Sequence, residues 1–483
     1  MKKIIAILLS VLFLVSFAGC GKKDDETSTD DGKRVLRVTY LKAGYGDEVF
    51  NKLANAFMVK YPDVQVKLYP DENVDSNTET QLTSGKNVKD VYYVSNWSSI
   101  RRWAIKGYVE DLTEVYSAEV ENGNSILDVI DDHVKDYCKY DERFWALPNE
   151  SSISGLIYNE DMFNQYGWSV PTTTKELIDL CYTIANANIS WVDEAGTTTS
   201  TKITPLVFCG SGNDGYWNPT LNVWWLQASG KEQLDVFSQF ENPDVYVDEG
   251  RLKALTVYRE VVFDHIATFA PKNVMSKDHK AAQLDFLRGK AAMIPCGSWF
   301  ATEMRAAIEQ FAPNMNFKMM AAPIISDNMG NSLAHDDGVN YLWDGGGACW
   351  FVPDGKLNSS ARNVEDAKKW ISFMCSNQAL NIWTSETGGI RPFDYDTTST
   401  SELYQNASVF SKSLMDLWNS VTPYRYMSSD KKAIMGYATL WPQQRSPFVD
   451  MYNNQTTAQK YYENDYAFVL REWDRWVSLT TEG

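Results

Sequence analysis

Seventeen tryptophans, 26 tyrosines and 21 phenylalanines are spread along this 483-residue chain, and several stand beside side chains that can hydrogen-bond. Asn96 and Trp97 follow a short apolar run, Val91 to Val94. The segment CGSGNDGYWNP (209–219) sets Asn213, Asp214, Tyr216 and Trp217 among turn-forming residues and is expected to expose both rings in a loop. Such pairings suit a pyranose, whose C–H faces stack on flat rings while its hydroxyls need carboxylates, amides or guanidinium groups as partners. Catalytic chemistry finds no comparable pattern. Neither GxSxG nor HExxH occurs, a DxDxDG calcium loop is absent, and His133, His265, His279 and His335 stand too far apart for local metal-ligand spacing. His335-Asp336-Asp337-Gly338 reads as a solvated turn. Glycoside hydrolysis needs two carboxylates at a set separation, which spacing along a chain with 63 acids cannot establish. No catalytic residue, no metal ligand and no cofactor is expected.

The elements that must hold these side chains follow an alternating α/β pattern from Arg34 onward. Val35, Leu36, Val38, Tyr40 and Leu41 form a strand, and Asp47 is placed to cap a helix with Val49, Phe50, Leu53, Ala54, Phe57 and Met58 on one face. Pro62 stops that helix, and Val64, Val66 and Leu68 alternate as the next strand. A third strand, Val91 to Val94, ends at Ser95-Asn96-Trp97. Strand ends of this kind aim side chains into a crevice. At the far end, Tyr462, Tyr466, Leu470 and Trp473 recur at helical spacing and predict a terminal helix packed on the body of the protein.

Charge and termini narrow the class. Lys and Arg total 45 against 63 Asp and Glu, a net charge of −18 that opposes binding to a phosphate backbone. With 44% apolar and 22% charged residues the chain can bury sizeable cores. Met1-Lys2-Lys3, the apolar run Ile4 to Phe17 and Ala18-Gly19-Cys20 have the layout of a lipoprotein signal peptide over 1–19, with Cys20 the lipidated first residue of the mature chain. Losing Lys2 and Lys3 takes the net charge from −18 to −20. Residues 20–34 then read as a polar tether. Cys138, Cys181, Cys209, Cys296, Cys349 and Cys375 form no CxxC and read as small buried residues, although their number permits disulfides outside the cell.

Four segments in order carry a family resemblance. They are the strand, the helix ending in KYP and the DVYYVS strand of the N-terminal part; LPNESSISGLIYNEDMFNQYGWSVPTTTKELIDLC (147–181); GKAAMIPCGSW (289–299); and GGGACWFVPDGKLN through TSETGGIRPF (345–393). Together they resemble family 1 extracellular solute-binding proteins of ABC importers, maltose-binding-protein-like and of carbohydrate type, over residues 35 to 400. The resemblance implies a type II, periplasmic-binding-protein-like α/β fold of two lobes. Lobe 1 would hold 35–149 plus 346–394, lobe 2 would hold 155–344 plus 400–483, and 150–154, 345 and 395–399 would be hinges. The triplet Gly345-Gly346-Gly347 suits such a crossover.

The same resemblance implies roles. Trp299, after the Gly-x-Trp glycine, would stack a sugar ring; Trp97 with Asn96 would face it from lobe 1; Trp217 and Tyr216, with Asp214, would add a platform. Glu150 and Ser152 at the crossover, and Lys42 and Tyr45 after the first strand, would bond hydroxyls. Asp344 and Arg391 border hinges, where an Asp–Arg ion pair and a ligand contact are equal readings. The implied protein is a monomer, lipid-anchored on the outer face of the cell membrane, that carries a sugar or oligosaccharide to permease subunits and binds no nucleic acid. A peptide, polyamine or other small solute as ligand, or a secreted glycan-active enzyme, stays open at this point.

Overall fold

The computed structural model describes residues 32–42, 44–95, 97–193, 195–211, 216–239, 241–326, 340–357, 363–425 and 446–481. The leader, Cys20, Asn96, Asn213, Asp214 and the turn at 335–338 lie outside them. Arg34–Leu41 pairs in parallel with Val64–Asp71 on one side and Val91–Val94 on the other. Cys349–Phe351 returns to pair antiparallel with Val91–Val94 and with Leu147–Pro148, completing a five-stranded sheet. Val35 to Tyr40 are buried without interruption because both faces of the sheet are covered. Arg37 tolerates this by pairing with the buried Asp90 at 2.9 Å.

Helix Glu48–Lys60 lays Val49, Phe50, Leu53, Ala54 and Phe57 onto this sheet, the face its apolar spacing predicts. Asp47 precedes it but caps nothing with its side chain. Its carboxylate instead accepts from the Tyr40 hydroxyl at 2.8 Å and faces Lys42 Nζ at 3.1 Å, tying the end of the first strand to the turn that follows.

A second sheet holds Thr204–Leu206, Ala291–Gly297, Ser154–Asn159 and Phe317–Met320 in that order, the first pair parallel and the rest antiparallel. All seven residues of Ala291–Gly297 are buried. The terminal helix Ala458–Thr481 packs on this half of the molecule as its spacing predicts, with Tyr462, Tyr466 and Trp473 partly buried against it. Tyr461, Asp465 and Val469 are buried, with Asp465 pairing the buried Arg251, while Leu470 is 48% exposed.

Three segments join the halves. Residues 149–153 connect Leu147–Pro148 of the first sheet to Ser154–Asn159 of the second, and 345–348 connect Tyr341–Asp344 to Cys349–Phe351. Tyr341–Asp344 itself pairs in parallel with Thr422–Arg425. The third crossing follows Phe393, which bridges Ile130 of the first half, and precedes Thr397, which bonds Asn419 of the second. Bridges of Ser151 with Ile390 and of Ile153 with Asp344 hold the three crossings side by side. The result is an α/β protein of two lobes.

Candidate functional site

Strand Ala291–Gly297 ends at the boundary between the lobes, and the residues after it turn toward the first lobe. A Cβ on Gly297 would lie 2.1 Å from Cζ3 of Trp299. Only glycine therefore leaves room for the indole to fold back over the strand end, which is the physical content of the Gly-x-Trp pattern. Trp299 Cβ lies 3.2 Å from where a Cβ on Gly44 of the first lobe would stand, so the indole reaches across the crevice. Tyr216 meets it edge-on, with ring centroids 6.0 Å apart.

Beneath this aromatic pair lies a cluster of buried polar groups. The Tyr45 hydroxyl sits beside both the Glu150 carboxyl of the crossover and the Ser298 hydroxyl of the second lobe. Tyr93, at the end of its strand, faces the same carboxyl, and Asn149 links its hydroxyl to the Trp350 indole at 3.4 and 2.7 Å. Among the described residues, Tyr45 Oη, Glu150 Oε2, Ser298 Oγ, Trp383 Nε1 and two nitrogens of Arg391 are buried and make no hydrogen bond of good geometry, although Tyr45 lies within reach of Glu150 and Ser298. Buried polar groups in folded proteins are ordinarily paired. Burial pushes the Glu150 carboxyl up to about 7, against the opposing pull of Tyr45, the Ala348 backbone, Arg391 and Tyr93. Gly347 makes the approach feasible: a Cβ there would stand 2.3 Å from Glu150 Cγ. The cluster can exchange hydrogen bonds with a ligand that carries several hydroxyls or amides.

The crossings meet at a buried charge cluster, which would be the pivot of any motion between the lobes. Asp344 is fully buried and accepts from Arg425 Nη2 at 2.7 Å, from the Ser151 hydroxyl at 2.8 Å and from the Ser152 backbone at 3.1 Å, with His133 Nε2 also at 3.1 Å. Burial raises its carboxyl, but Arg425 and His133 outweigh that and hold it well below the usual carboxylate range. The Asp–Arg pair weighed for Asp344 and Arg391 thus forms with a different arginine. Arg391 instead donates to the Met374 carbonyl at 2.9 Å and lies 5.1 Å from the Phe393 ring.

The predicted residues divide accordingly. Tyr45, Glu150, Trp299 and Tyr216 come together, and Ser152 reaches the pivot through its backbone. Lys42 stays at the rim on Asp47. Trp97 is 4% exposed in the core of the first lobe, 6.4 Å from the Tyr137 ring and 5.2 Å from the Arg101 guanidinium. Trp217 is fully buried in the second lobe against Phe208, because helix Asn218–Ser229 starts at it and turns it inward. The exposure expected of this ring is not found. Tyr93, Ser298 and Trp383 were not singled out from sequence. Ser298 had a signal, its place between the glycine and the tryptophan, whereas Tyr93 and Trp383 have only core-like spacing.

Comparison with known proteins places this geometry. The profile of the bacterial extracellular solute-binding proteins matches residues 43–381. The multiple sugar-binding protein of Streptococcus mutans is 22% identical over 388 residues, covering 79% of this chain and 80% of that one. The diacetylchitobiose binding protein NgcE of Streptomyces coelicolor is 24% identical over 294 residues, 60% of this chain and 56% of its own. Among solved structures, the GacH receptor of Streptomyces glaucescens superposes with a TM-score of 0.62 at 17% identity, covering 92% of this chain and 98% of that chain. These relatives are binding proteins rather than enzymes, and with the profile match over most of its length the chain belongs to the bacterial extracellular solute-binding protein family.

Proposed function

We propose that this protein captures a soluble carbohydrate, an oligosaccharide in particular, between its lobes and hands it to the permease subunits of an ABC importer. The carrying observation is the buried polar set contributed by both lobes and the crossover, Tyr45 Oη, Glu150 Oε2 and Ser298 Oγ, whose contacts with one another fall short of good hydrogen-bond geometry. Leaving such groups unpaired costs about 1–3 kcal/mol each, and sugar hydroxyls, which both donate and accept, answer that cost. Trp299 and Tyr216 supply ring faces above them. Relatives named as sugar binders support the class. In this reading residues 150–154, 345 and 395–399 are the hinges, and Trp97 and Trp217 hold the cores of the two lobes behind the site. A lipidated Cys20 anchors the monomer to the outer face of the membrane, with residues 20–34 as the tether.

Closure requires the ligand to bind the closed form better than the open one, and only contacts made to both lobes at once supply that difference. Calorimetry and thermal shift with neutral oligosaccharides, monosaccharides, peptides and polyamines test the reading. An oligosaccharide should raise the melting point and return uncleaved. Stabilisation by peptides or polyamines alone overturns the carbohydrate assignment, and a shortened sugar overturns the assignment as a receptor without catalysis.

A further inference from the structure

We propose that Cys138 and Cys349 form a disulfide in the mature, exported protein. Their sulfurs lie 3.9 Å apart, and both residues are buried in the first lobe, at 1% and 0% exposure. Cys138 occupies the turn between Asp132–Val134 and Lys139–Tyr140. Cys349 opens the strand that returns from the second crossing and is held in register with Val94 and Pro148. Bond formation brings the sulfurs from 3.9 Å to about 2 Å, an approach that the turn carrying Cys138 has to supply because Cys349 is fixed in the sheet. The family works outside the cytoplasm, where disulfides persist.

The reaction removes both S–H hydrogens and forms one S–S bond. Two protons go to solvent, and two electrons reduce the disulfide of an extracytoplasmic thiol oxidant to its dithiol. Burial pushes the Cys138 thiol well up, so thiolate is scarce once the lobe has formed, and the exchange belongs to folding, before the pair is sealed.

The bond would bear on the pivot. Tyr137, adjacent to Cys138, has its hydroxyl 2.8 Å from where a Cβ on Gly346 would stand, and its ring lies 4.7 Å from the Arg425 guanidinium. Joining Cys138 to Cys349 pins the turn that carries Tyr137 against the strand leaving that crossing. It also closes a covalent loop around the part of the second lobe that lies between the two cysteines.

The test is differential alkylation of the full chain, exported by a bacterial host, trapped without reductant, denatured and read by peptide mass spectrometry. The expected result is one cross-linked peptide pair containing Cys138 and Cys349, two hydrogens lighter than the sum of its parts, separating on reduction. Alkylation of both residues before reduction overturns the proposal. In Cys349→Ser, Cys138 should become fully alkylatable; a Cys138 that stays blocked in that variant has another partner, and the assignment fails.

Discussion

Asp344 and Arg305 each connect the lobes, in opposite surroundings. Asp344 is sealed at the pivot with Arg425, Ser151 and His133, its side chain and that of Arg425 exposed by 0% and 1%. Arg305, on the second lobe, reaches the first lobe at the rim, donating to Glu48 at 3.1 Å and to the Glu386 carbonyl at 3.0 Å, with the arginine 46% and Glu48 61% exposed. A buried ion pair cannot be parted without stranding a charge, whereas an exposed one is screened and reforms at little cost. The proposed hinge motion would use this asymmetry: the side that stays closed is the one held by desolvated charge, and the side that opens is held by contacts that water can replace.

The strongest way to break the comparison is Asp344→Asn, which leaves Arg425 buried with no countercharge. It should destabilise the protein by about 3–5 kcal/mol in urea or thermal unfolding. A loss below about 1 kcal/mol would show that the pivot does not depend on the pair.

Between pivot and rim, Glu150 titrates. Its carboxyl lies near 7 in the fold against an ordinary value of 4.5, so the folded state holds this proton more tightly than the unfolded chain. Stability from this group is fully present below about pH 4.5 and is lost as pH rises through 7, a change of roughly 3 kcal/mol. Asp131, raised to about 6 chiefly by burial, adds a slope of the same sign at lower pH. Unliganded wild type should therefore lose stability from pH 5 to 8, and Glu150→Gln should flatten the curve above pH 6. A wild-type curve that rises over this range sinks the assignment.

Trp299→Ala removes the ring that spans the crevice and should weaken oligosaccharide binding at least tenfold, about 1.4 kcal/mol, with a melting point close to wild type. Trp217→Ala should do the reverse, since that ring fills the core of the second lobe. Unchanged binding in Trp299→Ala would remove it from the site. The smallest effect belongs to the rim. Arg305→Gln should speed ligand release only a few-fold, and the variant should lose part of the salt dependence that wild type shows. A loss as large as that of Asp344→Asn would erase the distinction between the two regions.

Much of the positioning framework is legible in residue order. Helix Glu48–Lys60 and the strands beside it follow from apolar spacing, and the Gly-x-Trp pattern marks Trp299 because the glycine has no Cβ to strike the indole. Other residues mislead for physical reasons. A run of turn-forming residues suggests exposure at Trp217, but the helix that starts there points the ring inward. Asp47 looks like a helix cap, yet Tyr40 and Lys42 compete for its carboxylate.

Composition and periodicity by themselves determine that this is an acidic α/β chain, because burial patterns repeat along the sequence wherever a helix or strand must hide one face; the family is carried by the resemblance of four segments in order. Which polar groups meet is decided only in three dimensions. Tyr45, Glu150 and Ser298 come from two lobes and a crossover, and Arg425 finds Asp344 across 81 positions through the pairing of two short strands. Contacts between distant segments leave no local period in a sequence, and the charge state of Glu150 depends on all of its neighbours at once.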